Sequence, residues 1–299
     1  MTGRATGQVR VLRGAAPAAF VLAALSTPTN ERLRDALAGA GRRAGVVPPN
    51  LAAVAARPGD LVVGRLDVRL TLDGIQPGLE RLRELGRRGV HLIDDAEAIV
   101  ACHDKLVTAL LFRGASVPQP AGFHAVDPGA APAFSPPYVV KPRFGSWGRD
   151  VVRCQSRAEL RACLHAFESR PWFRRHGALI QELIPPRGYD LRLVVAGGRI
   201  VGAVERVAAA GEWRTNIALG GRRRPAEPTP GACELAIRAA EAVGGDIVGV
   251  DLLPDEAGWR VIEVNGAVEF NQEYALGEAD VFALAVGSFV APAPVAVSI

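Results

Sequence analysis

Three residues near the C-terminal end of the sequence have the types and spacing of cation ligands. Asp251 lies in one apolar run, and Glu263 and Asn265 lie in the next, with residues 254–258 between the runs. Residues two apart in a β-strand share a face, which brings Glu263 and Asn265 together. A hairpin turn within 254–258 places Asp251 directly across from Glu263. The sequence therefore predicts two carboxylates and an amide on one face of a hairpin.

The chemistry of this set favours a hard metal ion. Two carboxylates that face each other repel, and their burial is costly unless a cation lies between them. Oxygen ligands of this kind suit Mg²⁺, for which Mn²⁺ could substitute. The alternative is the polar face of an exposed sheet. The apolar residues around Asp251 and Glu263 indicate burial and favour the metal site.

A second segment, YVVKPRFGSWGR, joins a strand to a loop that contains glycines. Lys141 ends the strand, and Gly145, Ser146 and Gly148 follow in the loop before Arg149. Glycines allow a backbone to approach a phosphate closely, and the two basic residues supply positive charge. An ordinary turn is the alternative. The sequence contains neither a GKS nor a GKT triplet, so this is not a Walker A loop.

Two other segments could contact a nucleotide or a reacting group. The apolar strand ALIQELI, which includes Gln181 and Glu182, could offer backbone groups to an adenine edge and a carboxylate to a ribose. Its alternative is a core strand that leads into a loop. Arg214, in the segment EWRTN, could neutralise charge on a transferring phosphoryl group, or it could be a solvated surface arginine.

The elements that position these segments change character along the chain. Residues 20–93 alternate short apolar runs with helical patterns, which predicts a small parallel sheet of α/β type. Residues 118–137, rich in Pro and Ala, are predicted to connect two lobes. Beyond them, strands joined by tight turns, such as the turn at Gly197-Gly198, predict antiparallel sheet in an α+β arrangement.

Composition excludes several other classes of protein. The 299 residues are 49% hydrophobic and 22% charged, as in a globular protein. A net charge of +4 is a mild imbalance that gives little support to nucleic acid binding. The four cysteines and five histidines lack the spacing of a zinc site or a disulfide framework. The apolar stretch 15–25 is short and is better read as a β-strand than as a signal peptide, so a cytoplasmic protein without a membrane segment is expected.

The order of these motifs resembles the RimK-like ATP-grasp ligases over residues 90–275. The motifs that support the resemblance are VVKPRFGSWGR, IQELI, DLR, WRTN, GVDLL and VIEVNGAVEF, together with Lys105. GSWGR and the ending EVNxxxEF are most similar to the lysine-biosynthesis branch, which attaches 2-aminoadipate or glutamate to a carrier protein. The resemblance implies an ATP-grasp fold. Its expected parts are an N-terminal parallel-sheet domain (1–95), a central lobe (96–177), a C-terminal lobe with the metal site (178–290) and a frayed tail (291–299).

The resemblance also implies a role for each candidate residue. Lys105 and Lys141 would contact the ATP phosphates under the glycine loop, and Asp251, Glu263 and Asn265 would hold Mg²⁺. The remaining nucleotide-binding residues would be Gly145, Ser146, Gly148, Asp190 and the adenine hinge of Gln181, Glu182, Leu183 and Ile184. The residues expected at the phosphates and the reacting carboxylate are Arg192, Arg214 and Asn216.

The implied reaction joins a carboxylic acid to an amine through an acyl phosphate, with release of ADP. The expected amine is an α-amino acid, and the expected acceptor is a small acidic carrier protein or a coenzyme of pterin or deazaflavin type. A non-catalytic ATP-binding regulator is the rival from another class, and assembly into a homo-oligomer is compatible with the sequence. Two departures bear on the substrate. Leu219 replaces a common basic residue, for which Arg222 or Arg223 could substitute, and Glu269 could either repel an acidic amino acid or hold an ammonium group.

Overall fold

The N-terminal part of the chain forms the expected parallel sheet. The computed structural model describes residues 17–290, in which four parallel strands lie in the order β2-β1-β3-β4. The first helix starts where the Thr27 hydroxyl accepts a hydrogen bond from the Asn30 N–H, with Pro28 at its first turn. The elements are β1 (Ala18–Ala23), α1 (Pro28–Gly39), β2 (Arg43–Val47), α2 (Pro49–Ala55), β3 (Leu61–Arg65), α3 (Leu79–Arg87) and β4 (His91–Ile93).

A four-stranded antiparallel sheet and four helices follow. The sheet order is β5-β8-β6-β7. Its elements and the helices around it are α4 (Ala96–His103), α5 (Lys105–Gly114), β5 (Gly122–Ala125), β6 (Tyr138–Pro142), β7 (Val152–Cys154), α6 (Arg157–Phe167), α7 (Pro171–His176) and β8 (Ala178–Glu182).

The strand pairing of this central sheet differs from two sequence-based expectations about the lobes. The predicted connection 118–137 contains β5, which pairs with β8 along four residues. Strand β8 was expected to open the C-terminal lobe at residue 178, but it pairs with β5 and β6. The period of an apolar strand does not reveal its partner. We therefore propose that the boundary between the two lobes follows Glu182.

The C-terminal part is a five-stranded antiparallel sheet in the order β11-β10-β9-β12-β13. The predicted hairpin at Gly197-Gly198 is confirmed, since Ala196 pairs with Arg199 and both glycines have positive φ. The elements are β9 (Tyr189–Ala196), β10 (Arg199–Val207), a 3₁₀ turn (Ile217–Leu219), β11 (Arg222–Pro225), α8 (Pro230–Val243), β12 (Ile247–Asp255), β13 (Gly258–Asn265), a second 3₁₀ turn (Gln272–Tyr274) and α9 (Val281–Gly287).

Strand alternation divides the packing of this sheet between two cores. Leu193 and Val195 of β9 pack with α8, whereas Val194 and Ala196 pack with α9 and α1. The second of these cores joins the C-terminal sheet to the N-terminal sheet. The Asp94 carboxylate strengthens the junction by accepting hydrogen bonds from the backbone N–H groups of residues 246 and 247.

Two sequence-based expectations fall at the chain ends. The expected tail, 291–299, lies outside the described residues, as do residues 1–16 of the N-terminal domain. Within residues 17–290, none of the helices combines the length and apolar character needed to cross a membrane.

Candidate active site

A row of charged side chains crosses the C-terminal sheet. The β12–β13 register places Asp251 opposite Glu263, which confirms the predicted pairing. On its other side Asp251 pairs with Arg192 of β9. Two residues before Arg192 in β9, Asp190 pairs with Arg206 of β10. Hydrogen-bonded strands lie about 5 Å apart, so these side chains form one connected network.

Asp251 is the centre of that network. Its side chain is 2% exposed. The Arg192 Nε and Nη2 atoms donate to its two oxygens at 2.6 Å each, and Arg206 Nη2 donates at 2.8 Å. Burial opposes the charged form, but the two arginines overcome it and lower the pKa of Asp251 to about 2. Asp251 is therefore an anion at neutral pH.

Arg206 is held from both sides. Its Nε donates to Asp190 Oδ1 at 2.8 Å, and its Nη2 contacts Asp190 Oδ2. The Thr215 hydroxyl donates to the same carboxylate at 2.5 Å. Asp190 and Arg206 are 1% and 4% exposed, so each supplies the countercharge that the other needs in the interior.

Lys105 lies beside Glu263 at the start of α5. Its Nζ donates to Glu263 Oε1 at 2.7 Å and to the Gly145 carbonyl at 2.8 Å. Asp104 caps α5 through the N–H groups at the helix start and also binds the Arg143 guanidinium, with two N–O distances of 2.6 Å. The cap and this ion pair fix Lys105 between the glycine loop and β13.

Lys141 approaches the same place from β6. Its side chain is buried, and Nζ lies 3.4 Å from the Ile262 carbonyl. Burial, together with the like charge of Lys105, lowers the pKa of Lys141 to about 8. Two ammonium groups therefore point into one cleft, where an anion would stabilise both.

The glycine loop is held over this cleft by Arg214. Its Nη1 donates to the carbonyls of Gly148 and Val151 at 3.0 and 3.2 Å, and its Nη2 donates to Glu212 at 2.8 Å. This ion pair lowers the pKa of Glu212 to about 2. Gly148 has φ +71°, and a Cβ there would lie 2.8 Å from Asn216 Oδ1. The loop conformation therefore requires glycine at 148.

Most of the predicted site residues line one cleft between the central and C-terminal sheets. Strand β8 and the segment after it form one end of this cleft. There the N–H groups of Glu182 and Leu183 donate to carbonyls at 3.0 Å. Within residues 17–290, the N–H of Ile184 has no such partner. The predicted residues that line this main cleft are Lys105, Lys141, Gly145, Ser146, Gly148, Gln181, Glu182, Leu183, Ile184, Asp190, Arg214, Asn216, Asp251 and Glu263.

The other two predicted residues, Arg192 and Asn265, line a second pocket that adjoins the main cleft. Residues from the N-terminal domain and from the segment after β13 complete this second pocket. The pockets share five residues: Ser146, Trp147, Arg206, Asn216 and Glu263. The residues particular to the second pocket include Asp67, His103, Arg192, Arg223, Asn265 and Glu269.

Several of these residues were missed in the sequence. Arg206 could have been found, because the Gly197-Gly198 turn sets a register that pairs it with Asp190. Asp67 and His103 carried no such indication, since Asp67 reaches the pocket only through packing of the N-terminal domain, and His103 only through packing of α4, against the C-terminal sheet. Arg223 was suggested as the replacement for a basic residue at 219, and it lines this pocket, where Nη1 donates to Glu273 at 2.9 Å.

The donor set around Asp251 fits Mg²⁺. Glu263 Oε1 accepts from Lys105, which leaves Oε2 available, and Asn265 Nδ2 lies 3.5 Å from Asp251 Oδ2. A carboxylate offers about four lone-pair sites, so Asp251 keeps acceptor capacity beside its arginines. Within residues 17–290 no group of three or more His, Cys, Asp and Glu side chains is placed to hold a metal. The set here is two carboxylates and an amide, which leaves room for water and phosphate oxygens.

Comparison with known proteins agrees with this geometry. Residues 127–279 match the family model described as the RimK-like ATP-grasp domain. A probable α-L-glutamate ligase of Thioalkalivibrio sulfidiphilus is 32% identical over 214 residues, which cover 70% of this chain and 68% of the relative. The α-aminoadipate–LysW ligase LysX of Saccharolobus solfataricus is 31% identical over 187 residues, covering 61% of this chain and 68% of that one.

Solved structures show the same fold. A RimK domain ATP-grasp protein from Sphaerobacter thermophilus superposes with a TM-score of 0.69 at 20% identity, covering 92% of this chain and 99% of that one. The ATP-grasp ligase PsnB, solved with a phosphomimetic precursor variant, Mg and ADP, gives a TM-score of 0.64 at 17% identity, covering 92% and 98%. The sequence matches and the shared fold show that this chain belongs to the RimK-like ATP-grasp family, as an ADP-forming acid–amino acid ligase.

Proposed function

We propose that this ligase attaches an α-amino acid of the glutamate or 2-aminoadipate type to a carboxylate-ended acceptor. The observation that carries the proposal is the meeting of Lys105 and Lys141 with the paired carboxylates of Asp251 and Glu263 beneath one glycine loop. Cations for phosphate oxygens and oxygen ligands for a metal lie together there. This arrangement suits phosphoryl transfer to a carboxylate.

Each group has a role in the proposed first step. The two lysines offset the phosphate charges, and the backbone of the loop that contains Gly145 and Gly148 covers them. Asp251, Glu263 and Asn265 would hold Mg²⁺, which supplies charge compensation for the terminal phosphates when it is bound. The carboxylate oxygen of the acid attacks the γ-phosphorus, the bond from that phosphorus to the β-phosphate oxygen breaks, and ADP leaves.

The second step needs an amine but no covalent protein nucleophile. The nitrogen lone pair forms a bond to the carbonyl carbon of the acyl phosphate, the C–O bond to phosphate breaks, and an amine proton passes to the departing phosphate. Arg192 and Asn216 are proposed to bind the reacting groups, because Asn216 lines both pockets and Arg192 lines the adjoining one. Positioning and fixed charge supply the catalysis.

The acceptor is proposed from the relatives. The name of the Saccharolobus protein specifies 2-aminoadipate and the protein LysW, and the names of several other relatives specify glutamate. An acidic carrier protein is therefore the first candidate, and a small coenzyme of pterin or deazaflavin type is the second.

The proposal is tested by product analysis with a matrix of acids and amines. Purified protein is incubated with ATP and Mg²⁺ and with glutamate, 2-aminoadipate, a glutamate-ended carrier protein or a pterin acid, singly and in pairs. ADP release that requires both an acid and an amine supports the proposal. Formation of AMP, or ADP release that is independent of the amine, contradicts it.

A further inference from the structure

The second pocket contains charges of both signs, but they are not equally neutralised. Arg192 and Arg206 are bound to Asp251, and Arg223 is bound to Glu273. Among the carboxylates, Glu263 is bound to Lys105. The arginines of the pocket are therefore offset by the protein itself.

Asp67 is different from the other acidic groups of the pocket. Within residues 17–290 no arginine or lysine lies within 4.0 Å of its carboxylate, and its nearest basic neighbour is His103, with Nδ1 4.0 Å from Oδ1. Burial lowers the pKa of His103 below its ordinary value, so the imidazole is uncharged at neutral pH and does not neutralise Asp67.

The position of Asp67 is well defined by its loop. Its Oδ1 accepts from the N–H of Val68 at 2.6 Å, and its own N–H and carbonyl are bound to Gln76 at 3.0 and 2.8 Å. The Asp67 side chain is 29% exposed. The buried Arg65 is near enough to act on Asp67 electrostatically. Within residues 17–290, however, no arginine or lysine lies within ion-pair distance of it, and a fixed, partly buried carboxylate of this kind attracts a cationic ligand.

One other group that lines the pocket has unused hydrogen-bonding capacity. His103 is 4% exposed, and its Nε2 has no partner within residues 17–290. Glu269, by contrast, accepts from the Thr27 hydroxyl at 2.8 Å and forms an ion pair with the buried Arg65, whose Nη2 lies at 3.4 Å. Its charge is therefore already offset by the protein.

Another group of the pocket suits the acid. Arg192 uses Nε and Nη2 for Asp251, and its Nη1 has no partner within residues 17–290. This Nη1 would attract a substrate carboxylate, whereas Asp67 would repel it. The two residues therefore favour ligand groups of opposite charge.

We propose that the second pocket binds the amine component of the ligation as an ammonium ion, with Asp67 as its acceptor. The bound ammonium gives one proton to water, and its nitrogen, which then has a free lone pair, attacks the carbonyl carbon of the acyl phosphate. This inference rests on the proposed function and extends it by assigning the amine to Asp67. Asp67 is a specificity-determining residue in this account, acting on the second substrate and not on ATP.

The experiment separates amine binding from activation of the acid. Hydroxylamine is uncharged near pH 7.5 and traps an acyl phosphate as a hydroxamate without needing an ammonium site. The carboxylate that gives the highest rate in the matrix above is supplied with ATP and Mg²⁺, and with L-glutamate, 2-aminoadipate or hydroxylamine as the nucleophile. Wild type, Asp67→Asn and Glu80→Gln are compared. Glu80→Gln removes the same charge from an exposed helix of the same domain.

Asp67→Asn keeps the acceptor for the Val68 N–H, so the variant should fold. It should raise the KM for the amine by about tenfold or more. The KM for ATP and the rate of hydroxamate formation should stay within about twofold of the wild-type values. Glu80→Gln should not show this rise in the KM for the amine. An unchanged KM for the amine would overturn the inference, as would a parallel loss of hydroxamate formation. Failure of the wild-type protein to form either hydroxamate or ADP would instead overturn the proposed function, and the inference with it.

Discussion

The main cleft and the second pocket handle charge in different ways. In the main cleft, Asp251 and Asp190 are buried. Asp251 is bound to Arg192 and Arg206, and Asp190 is bound to Arg206, all from neighbouring strands of the same sheet. In the second pocket, Asp67 comes from a loop of another domain and lacks a lysine or arginine partner within residues 17–290. The cleft is therefore preorganised by the protein, and we infer that a ligand completes the charge balance of the pocket.

This difference suggests a division of roles. A site for ATP, which every turnover requires, gains from fixed groups that need no rearrangement. A site that selects one substrate can leave a charge for that substrate to neutralise, because competitors without the matching charge then bind poorly. Variants that affect only one of the two regions support this division of roles, and variants that affect both regions equally contradict it.

The largest effect is expected from the proposed metal ligands. Glu263→Gln should lower the rate of ADP formation by about 10³-fold, because it removes a carboxylate that would hold Mg²⁺ beside Lys105. The rate is measured with saturating acid and amine. Glu256→Gln, in the exposed turn of the same hairpin, is the matched control and should retain wild-type activity. A Glu263→Gln rate within tenfold of the control would remove Glu263 from the metal site. Asp251→Asn is a less specific probe, since it also removes the countercharge of two buried arginines.

The next largest effect concerns stability. Arg206→Met should lower the free energy of unfolding by about 3–5 kcal/mol, because it leaves Asp190 buried without its guanidinium partner. Urea unfolding followed by circular dichroism measures the change. The control is Arg224→Met, which breaks the more exposed pair with Glu205 on the neighbouring strand and should cost less than about 1 kcal/mol. Equal losses of unfolding free energy in both variants would show that the buried charged residues of the C-terminal sheet do not organise the cleft.

A smaller effect is expected from pH. In the free protein Lys141 has its pKa lowered to about 8 by burial, and bound phosphate favours the protonated lysine. ATP affinity should therefore be constant below pH 8 and fall by up to about tenfold per pH unit above it, as the free protein loses this charge. Calorimetric titration with Mg·ATP from pH 7 to 9 measures the slope. Lys141→Arg keeps its charge over this range and should give a flat profile. Equal slopes in the two proteins would contradict the assignment.

The smallest effect separates backbone strain from contact in the glycine loop. Gly148→Ala and Gly277→Ala both place alanine at positive φ, of +71° and +91°, which costs each about 1 kcal/mol in stability. Only the Cβ at 148 would meet Asn216, whereas the space around 277 is open. The KM for ATP should therefore rise about fivefold in Gly148→Ala and stay unchanged in Gly277→Ala. Similar KM values in the two variants would show that the loop does not need this close approach.

The predictability of the two regions follows from how they are assembled. The facing of Asp251 and Glu263 could be predicted, because a hairpin turn fixes the register of its two strands. The same argument would have identified Arg206 opposite Asp190. These pairings depend only on residues close together in the chain.

The remaining features depend on contacts between distant segments. Strand β8 was assigned to the C-terminal lobe, although it lies in the central sheet, because its apolar pattern does not specify a partner. Asp67 and Glu269 are about two hundred residues apart in the chain and line the same pocket because the N-terminal sheet packs against α9 and β9. Motif order identified the family, but the charge balance of the second pocket could be derived only from the folded structure.

The most direct test of the account follows the oxygen atoms of the acid. The carboxylate substrate is labelled with ¹⁸O, and the phosphate released with ADP is analysed by mass spectrometry after complete ligation. The account predicts one ¹⁸O atom in each phosphate, because the acid oxygen that attacks the γ-phosphorus stays with phosphate when the amine displaces it. Unlabelled phosphate would show that ATP is hydrolysed without forming an acyl phosphate, and label in AMP would show an acyl adenylate. Either of those results would contradict the account.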